Sequence, residues 1–198
     1  MLPAGDAQLI QIVDDALADA TRRGGHWLVC KPGCNQCCTG VFRISALDAE
    51  RLREGLRRLD LADPQRSTAL RLRIASAAHT LTPGFPGNAE SGILHNDDAS
   101  HEAFEDFAND QVCPVLDPLT GTCDLYAARP LTCRTFGPPV RTVEDGLGVC
   151  ELCFDTATTA EIAAAEMYLP PDELEAAMLH DMHASGETIV AFALRNSA

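Results

Sequence analysis

Nine cysteines in a chain of 198 residues are the feature that most limits how this sequence can fold. In a small secreted protein so many cysteines predict a disulfide framework, whereas clustered thiols in a reducing compartment are more often metal ligands or redox groups. The odd number also fits complete disulfide pairing poorly. The cysteines lie in three groups along the chain: Cys30, Cys34, Cys37 and Cys38; then Cys113, Cys123 and Cys133; and finally Cys150 and Cys153.

Length and composition predict an ordinary globular chain. A hydrophobic content of 46% supports one domain over residues 1–198, with a core motif at 30–153 and helical flanks on both sides. No apolar run approaches the roughly 20 residues of a membrane span. Residues 1–7 lack the basic start and apolar stretch of a signal peptide. We therefore expect a cytoplasmic protein with no membrane partner.

The chain is acidic, with a formal net charge of −14. Phosphate backbones are attracted to basic patches, so we expect no nucleic-acid partner. The Asp and Glu residues are scattered, which is typical of charged helix faces. The expected partner is therefore a metal ion or cluster, and the charge pattern points to no particular protein partner.

Helix signals predict a mostly helical α+β fold. Each predicted helix has a capping residue or an apolar period near 3.6 residues. These helices are residues 7–22, one opened by Ser45 and Asp48, one opened by Asp63 and Pro64, a short one over 101–109, one opened by Thr158 and Glu161, and a last one over 172–185. Residues 82–100 hold many Gly and Pro residues and predict a long loop. The expected architecture is a single small domain, with helices around an irregular cysteine-rich metal-binding core.

The spacing of the cysteines favours metal binding. Cys30, Cys34 and Cys37 are separated by two or three residues across a Gly/Pro turn, so their sulfurs can point toward one centre. Cys113 and Cys123 flank a turn at residues 118–121, as the two arms of a hairpin do. The last pair is a C-x-x-C without an evident strand–helix unit around it, which argues against a thioredoxin-like redox site.

Three elements of the sequence resemble the YkgJ family of cysteine-cluster proteins, also described as the C-x-x-C-x-x-C-C zinc- or iron-chelating domain. They are the adjacent Cys37-Cys38, the Cys113-Pro-Val-Leu-Asp segment that ends in Gly-Thr-Cys123, and Tyr126-x-x-Arg129-Pro130-x-x-Cys133-Arg134-x-Phe136. One departure is that three residues, rather than two, separate Cys30 from Cys34. The resemblance implies metal chelation. The family also includes flagellin lysine methylases, but no site for S-adenosylmethionine is evident in this chain.

All nine cysteines are candidate metal ligands. We expect Cys34, Cys37, Cys113 and Cys133 to be the primary ligands, followed by Cys38 and Cys123. Successive side chains diverge, so Cys37 and Cys38 are not expected to be equivalent ligands of one zinc ion. Nine thiols suffice for two four-ligand centres with one left over, or for one centre with a structural remainder.

Four thiolates around a metal leave negative charge that nearby cations must balance. Arg129 and Arg134 are the predicted cofactor-binding cations, with Arg43 as a possible addition. The alternative is that Arg129 pairs with Asp124 or another carboxylate and only holds the loop in place.

Residue types leave two cofactors open, an iron–sulfur cluster such as [4Fe–4S] or zinc, because both accept thiolates. The all-cysteine set favours iron–sulfur slightly. His26, His180 and His183 are expected to be ordinary exposed residues.

Three functional hypotheses remain open. Structural metal binding is the first, a metal-dependent enzyme such as a methylase-related domain is the second, and a thiol redox protein is the third. No catalytic residue can be assigned.

Overall fold

The computed structural model describes residues 1–142 and 146–195, and its regular structure is mostly helical. Its helices are α1 (Asp6–Gly24), α2 (Ala46–Ala62), α3 (Pro64–Leu81), α4 (Asp98–Glu105), α5 (Leu131–Thr135), α6 (Thr159–Ala164), α7 (Glu173–Asp181) and α8 (Val190–Arg195). The mostly helical α+β prediction is confirmed. None of the helices in the described ranges combines the length and the apolar character needed to cross a membrane.

The strands are each two residues long. They are β1 (Ile44–Ser45), β2 (Gly87–Asn88), β3 (Ile93–Leu94), β4 (Leu116–Asp117), β5 (Thr122–Cys123), β6 (Val140–Arg141), β7 (Leu147–Gly148) and β8 (Glu187–Thr188). They pair antiparallel as β1–β8, β2–β3, β4–β5 and β6–β7. Such short pairs cannot form a core of their own, so helices and loops carry most of the packing.

The described residues divide into two compact units. Unit 1 comprises Met1–Leu2, Gly33–Pro130 and the described part of Leu179–Ala198, and unit 2 comprises Pro3–Pro32 and the described part of Leu131–Met178. The assignment of residues 1–198 to a single domain stays a prediction.

Unit 1 is built around α2, α3 and α8. The predicted helix starts are confirmed: the Ser45 side chain accepts the backbone N–H of Asp48 at 3.2 Å, and Asp63 accepts that of Arg66 at 3.0 Å. The apolar faces of these helices form one buried cluster, in which each large side chain contributes about 1.5–3 kcal/mol. Its members include Leu52, Leu56, Leu70, Ile74 and Leu194, with Cys113 and Cys123 packed against it. Two cysteines are therefore anchored on the core of unit 1.

The loop predicted over residues 82–100 is correct for most of the segment, but the prediction missed the short strands at 87–88 and 93–94 and the start of α4 at Asp98. The segment contains the β2–β3 hairpin, and its Phe85 and Leu94 side chains are buried in a second cluster. A Cβ on Gly87 would lie 2.3 Å from the carbonyl oxygen of Ile93, so glycine is needed there for the strands to approach. The segment is therefore a loop that contains a short, packed hairpin.

Unit 2 is built on α1. The apolar face of this helix, with Leu9 and Val13, packs against Met167. Arg23 at the end of α1 donates to the carbonyl oxygens of Ala164 at 2.6 Å and Glu166 at 2.7 Å. These bonds tie the C-terminus of α1 to the chain that follows α6.

Two predictions for the C-terminal helices have different outcomes. The capping box of Thr158 and Glu161 is confirmed at the start of α6. The last predicted helix is shorter than expected, because α7 covers Glu173–Asp181 rather than 172–185. The helix stops before His183, which has a positive φ of 49°.

Candidate metal centre

The cysteines divide between the two units. All nine lie within the described residues and are thiols. The first cysteine set, in unit 1, comprises Cys34, Cys37, Cys38, Cys113 and Cys123; the second cysteine set, in unit 2, comprises Cys30, Cys133, Cys150 and Cys153. Of the four predicted primary ligands, Cys133 therefore lies in a different unit from Cys34, Cys37 and Cys113, and their grouping in one ligand set stays a prediction.

A short antiparallel ladder joins the two halves of the first cysteine set. The backbone N–H of Cys113 donates to the carbonyl oxygen of Cys38 at 2.8 Å, and Thr39 forms a β-bridge with Val112. One residue further on, Gly40 donates to Gln111 at 2.9 Å. The ladder thus holds the Cys37-Cys38 segment beside Cys113.

The hairpin predicted between Cys113 and Cys123 is confirmed. β4 and β5 pair with Leu116 opposite Cys123. The turn is closed by the side chain of Asp117, which accepts the backbone N–H of Leu119 at 3.0 Å, an arrangement typical of Asp before a turn.

The tip of this hairpin approaches the segment that contains Cys34. A Cβ on Gly121 would lie 3.7 Å from the carbonyl oxygen of Gly33 and 3.7 Å from Nδ2 of Asn35. The residues on both sides of Cys34 therefore face the β4–β5 turn, so Cys34 joins the first cysteine set through backbone proximity.

Burial and mutual contact raise the pKa of three thiols of the first cysteine set. A hydrogen bond with the Cys38 thiol, together with burial, raises the pKa of Cys37 far above its usual range. Burial raises the pKa of Cys113 to about 11, with the neighbouring Cys123 adding to the effect, and burial also raises the pKa of Cys123. A raised pKa favours the protonated thiol, so a metal ion that binds these cysteines displaces protons.

The contact between Cys37 and Cys38 differs from the divergence expected of adjacent side chains. Both residues lie in a single 3₁₀ turn, Gln36–Cys38. Successive side chains in such a turn are about 120° apart, and the flexible thiols can still meet. Adjacency therefore does not by itself prevent the two thiols from serving one site.

Arg129 brings positive charge to the first cysteine set. Its guanidinium lies over the ring of Tyr126 at 4.0 Å from the centroid. The pKa of Cys37 and that of Cys123 are raised overall, but the charge of Arg129 opposes both increases. This is the electrostatic relationship expected of a cation that balances thiolates.

Asp124, the predicted alternative partner of Arg129, forms ion pairs with residues of α3. Its side chain is 1% exposed and pairs with both Arg66 and Arg73. Arg73 also donates to the carbonyl oxygen of Pro114 at 3.0 Å, so it holds both arms of the Cys113–Cys123 hairpin. This clamp was not predicted from the sequence; the signal for it was two arginines seven residues apart, which share a face of α3.

The second cysteine set is centred on Cys30 and Cys153. Their Sγ atoms lie 3.9 Å apart. The backbone N–H of Cys153 donates to the carbonyl oxygen of Cys150 at 2.8 Å, which folds the C-x-x-C into a turn. Cys133 lies on α5, and Gly137 just beyond this helix is close to Cys30, because a Cβ there would lie 3.0 Å from its sulfur.

The other predicted cations have carboxylate partners. Nη1 of Arg134 donates to both carboxylate oxygens of Asp14, at 2.7 and 2.8 Å, with the Arg134 side chain 3% exposed. Arg43 pairs with Glu187 at 3.1 Å and lies over the ring of Phe104. A role for either arginine toward a metal stays a prediction.

The donor chemistry fits zinc or iron, because both sets consist of sulfur ligands that these metals accept. In residues 1–142 and 146–195, no three Cys, His, Asp or Glu side chains are arranged to hold a metal ion. Rotation of the thiol side chains would therefore have to accompany binding. His26, His180 and His183 are exposed, as predicted.

Comparison with known protein families identifies a matching family model. The family model CxxCxxCC, described as "Putative zinc- or iron-chelating domain", matches residues 29–153. This range contains all nine cysteines and covers both sets. No curated protein and no solved structure matches the chain.

Proposed function

Because the chain belongs to the CxxCxxCC family of zinc- or iron-chelating domains, we propose that it is a metal-binding protein with cysteine thiolate ligands. The observation that carries this proposal is the gathering of Cys37, Cys38, Cys113 and Cys123 in unit 1. These residues come from distant parts of the sequence, and their thiols influence one another electrostatically. Buried, adjacent thiols are costly to ionise without a metal, and metal binding offsets that cost.

The proposed cofactor of the first cysteine set is an iron–sulfur cluster or zinc. Five cysteines are available in unit 1, enough for either a cubane cluster or a tetrahedral zinc ion. Arg129 supports the anionic centre that both cofactors produce with four thiolates. A cytoplasmic address is part of the proposal, because a reducing compartment keeps the thiols available for metal.

The proposed role of the metal is to complete the fold of the cysteine segments. Regular structure between Gly33 and Gly40 is limited to one 3₁₀ turn, and the β4–β5 hairpin has only two residues in each strand. Metal bonds between these segments would stabilise them directly, as in other small thiolate sites. No specific observation favours the methylase-related or the thiol redox alternative.

The test is elemental analysis, labile sulfide and a visible spectrum on protein purified without oxygen. We expect bound zinc, or iron with sulfide and a brown colour. In the C113S variant this metal should be lost from unit 1, whereas the matched hairpin variant L119S, at a side chain 94% exposed, should retain it. Wild-type protein that binds neither zinc nor iron, or a C113S variant with full metal content, would overturn the proposal.

A further inference from the structure

We propose that unit 2 holds a metal centre of its own, in which Cys30, Cys150 and Cys153, with Cys133 as fourth ligand, bind one zinc or iron ion tetrahedrally. This inference rests on the proposed function and adds a second site to it. The family match covers residues 29–153 and therefore includes these four cysteines, but it does not assign them to a particular ion.

The distance between the first two sulfurs matches ligands of a single ion. The Sγ atoms of Cys30 and Cys153 are 3.9 Å apart. Two thiolates on a tetrahedral ion, each with a bond of about 2.3 Å, are separated by about 3.8 Å. A disulfide would require about 2.05 Å, and in a cubane cluster each cysteine binds a different iron atom, which separates the sulfurs further.

The backbone around Cys153 holds this spacing. The turn from Cys150 to Cys153 is closed by a 2.8 Å hydrogen bond, and the next residue, Phe154, donates its N–H to the carbonyl oxygen of Trp27 at 3.0 Å. Phe154 has a φ of 58° and is buried. A left-handed residue other than glycine costs about 1–2 kcal/mol, so packing must hold this turn in place.

Burial differs between the two sulfurs in a way that suits a metal site. Cys153 is buried and packs in the small cluster of Phe154 and Ala165, while Cys30 is exposed. One ligand is therefore fixed from the interior, and the other leaves the site open to an incoming ion.

The other two proposed ligands are the remaining thiols of unit 2, Cys150 and Cys133. Cys150 packs against the cluster that contains Cys153, and C-x-x-C is the spacing of many zinc sites. Cys133 lies four residues before Gly137, and a Cβ on Gly137 would lie 3.0 Å from the sulfur of Cys30. In the proposed centre, the side chains of Cys150 and Cys133 rotate toward the Cys30–Cys153 pair.

The first test is zinc titration of the metal-free full-length chain, with zinc measured after removal of unbound ion. The C30S/C153S variant should bind one zinc ion per chain fewer than wild type. The C113S/C123S variant should retain that zinc ion. C30S alone gives the same result without altering a buried residue. The control L152S changes an exposed side chain inside the C-x-x-C turn and should bind as wild type does.

The second test assigns the fourth ligand with cobalt(II) in the C113S/C123S background. The intensity of the sulfur-to-cobalt charge-transfer absorption should match that of four thiolate ligands. The C133S substitution should reduce this intensity by about a quarter, because one of four ligands is lost. Circular dichroism of each variant checks that it is folded.

The outcomes separate this inference from the proposed function. The second centre would be overturned if C30S and C30S/C153S bound as much zinc as wild type. It would also be overturned if wild type bound a single zinc ion and C113S/C123S lost it. In both cases the proposed function stands. Unchanged charge transfer in C133S would remove Cys133 from the site. A wild-type chain that binds no metal would overturn the proposed function together with this inference.

Discussion

The backbone N–H of Cys113 donates a hydrogen bond of 2.8 Å to the carbonyl oxygen of Cys38. This bond and the Thr39–Val112 bridge beside it join the two halves of the first cysteine set. The backbone of the Cys37-Cys38 segment is thus held beside that of Cys113 by this ladder. Changes to the ladder should consequently reduce metal binding even where every cysteine is retained.

Gly40 provides a test of the ladder. It has a φ of 88° and donates to Gln111, a conformation that costs a residue with a side chain about 1–2 kcal/mol. We expect G40A to lower the free energy of unfolding by this amount and to weaken zinc binding in unit 1. Urea unfolding and competition with a chelator measure the two effects.

Gly84 is the matched control for Gly40. Its φ is 78°, and a Cβ there would have open space around it. G84A should lower stability to a similar degree, but zinc binding should stay as in wild type because Gly84 is outside the ladder. Equal zinc affinities in G40A and G84A would show that the ladder does not position the ligands.

The Asp124 clamp should be a large contributor to the stability of unit 1. Its carboxylate is 1% exposed and faces Arg66 and Arg73. Loss of one member of a buried ion pair costs several kcal/mol. We expect D124N to destabilise the protein by about 3 kcal/mol, the lower end of that range, because both arginines are partly exposed.

Asp117, in the same hairpin, is the control for D124N. Its side chain accepts hydrogen bonds in the turn from Leu119 and Thr120, and asparagine retains one acceptor oxygen. D117N should cost only about 0.5 kcal/mol, measured by the same urea unfolding. A similar loss in both variants would mean that the two arginines add little.

Removal of the Arg129 charge should weaken metal binding. Its guanidinium opposes the increase in the pKa of Cys37 and Cys123, so it favours the thiolate forms that bind metal. We expect zinc affinity in R129Q to fall about tenfold, from an interaction on the order of 1–2 kcal/mol at a partly exposed position. R129K retains the charge and should stay near wild type in chelator competition; equal losses in both variants would point to packing on Tyr126 instead.

Variants of Arg134 and Asp14 can distinguish a structural role of Arg134 from a role in metal binding. The two residues form a salt bridge in unit 2, so D14A and R134A should both reduce stability, with a coupling energy of about 1 kcal/mol in a double-mutant cycle. If the Arg134 charge also balances metal ligands near Cys133, only R134A should lose zinc, as measured by elemental analysis. Full zinc content in R134A would restrict Arg134 to a structural role.

Local signals in the sequence predicted the helix starts well. The caps at Ser45, Asp63 and Thr158 depend on hydrogen bonds within three residues, so they can be recognised without tertiary information. The Cys113–Cys123 hairpin was predictable for the same reason, since its turn residues are contiguous.

Other features were not predictable from local signals. The residue composition of 82–100 is equally typical of a loop and of a tight hairpin, and only burial of Phe85 and Leu94 decides between them. Similarly, the partners of Asp124 come from α3, and sequence spacing cannot show which cation meets a given carboxylate.

By itself, the sequence determined which thiols the chain carries and the family to which it belongs, because the cysteines and their spacing are properties of the chain. Only the tertiary structure decided how the thiols are grouped. Cys30 and Cys34 are near neighbours in sequence yet lie in different units, whereas Cys30 and Cys153 have sulfurs 3.9 Å apart. The physical reason is that grouping depends on where each chain segment is buried and hydrogen-bonded, and those partners are distant in sequence.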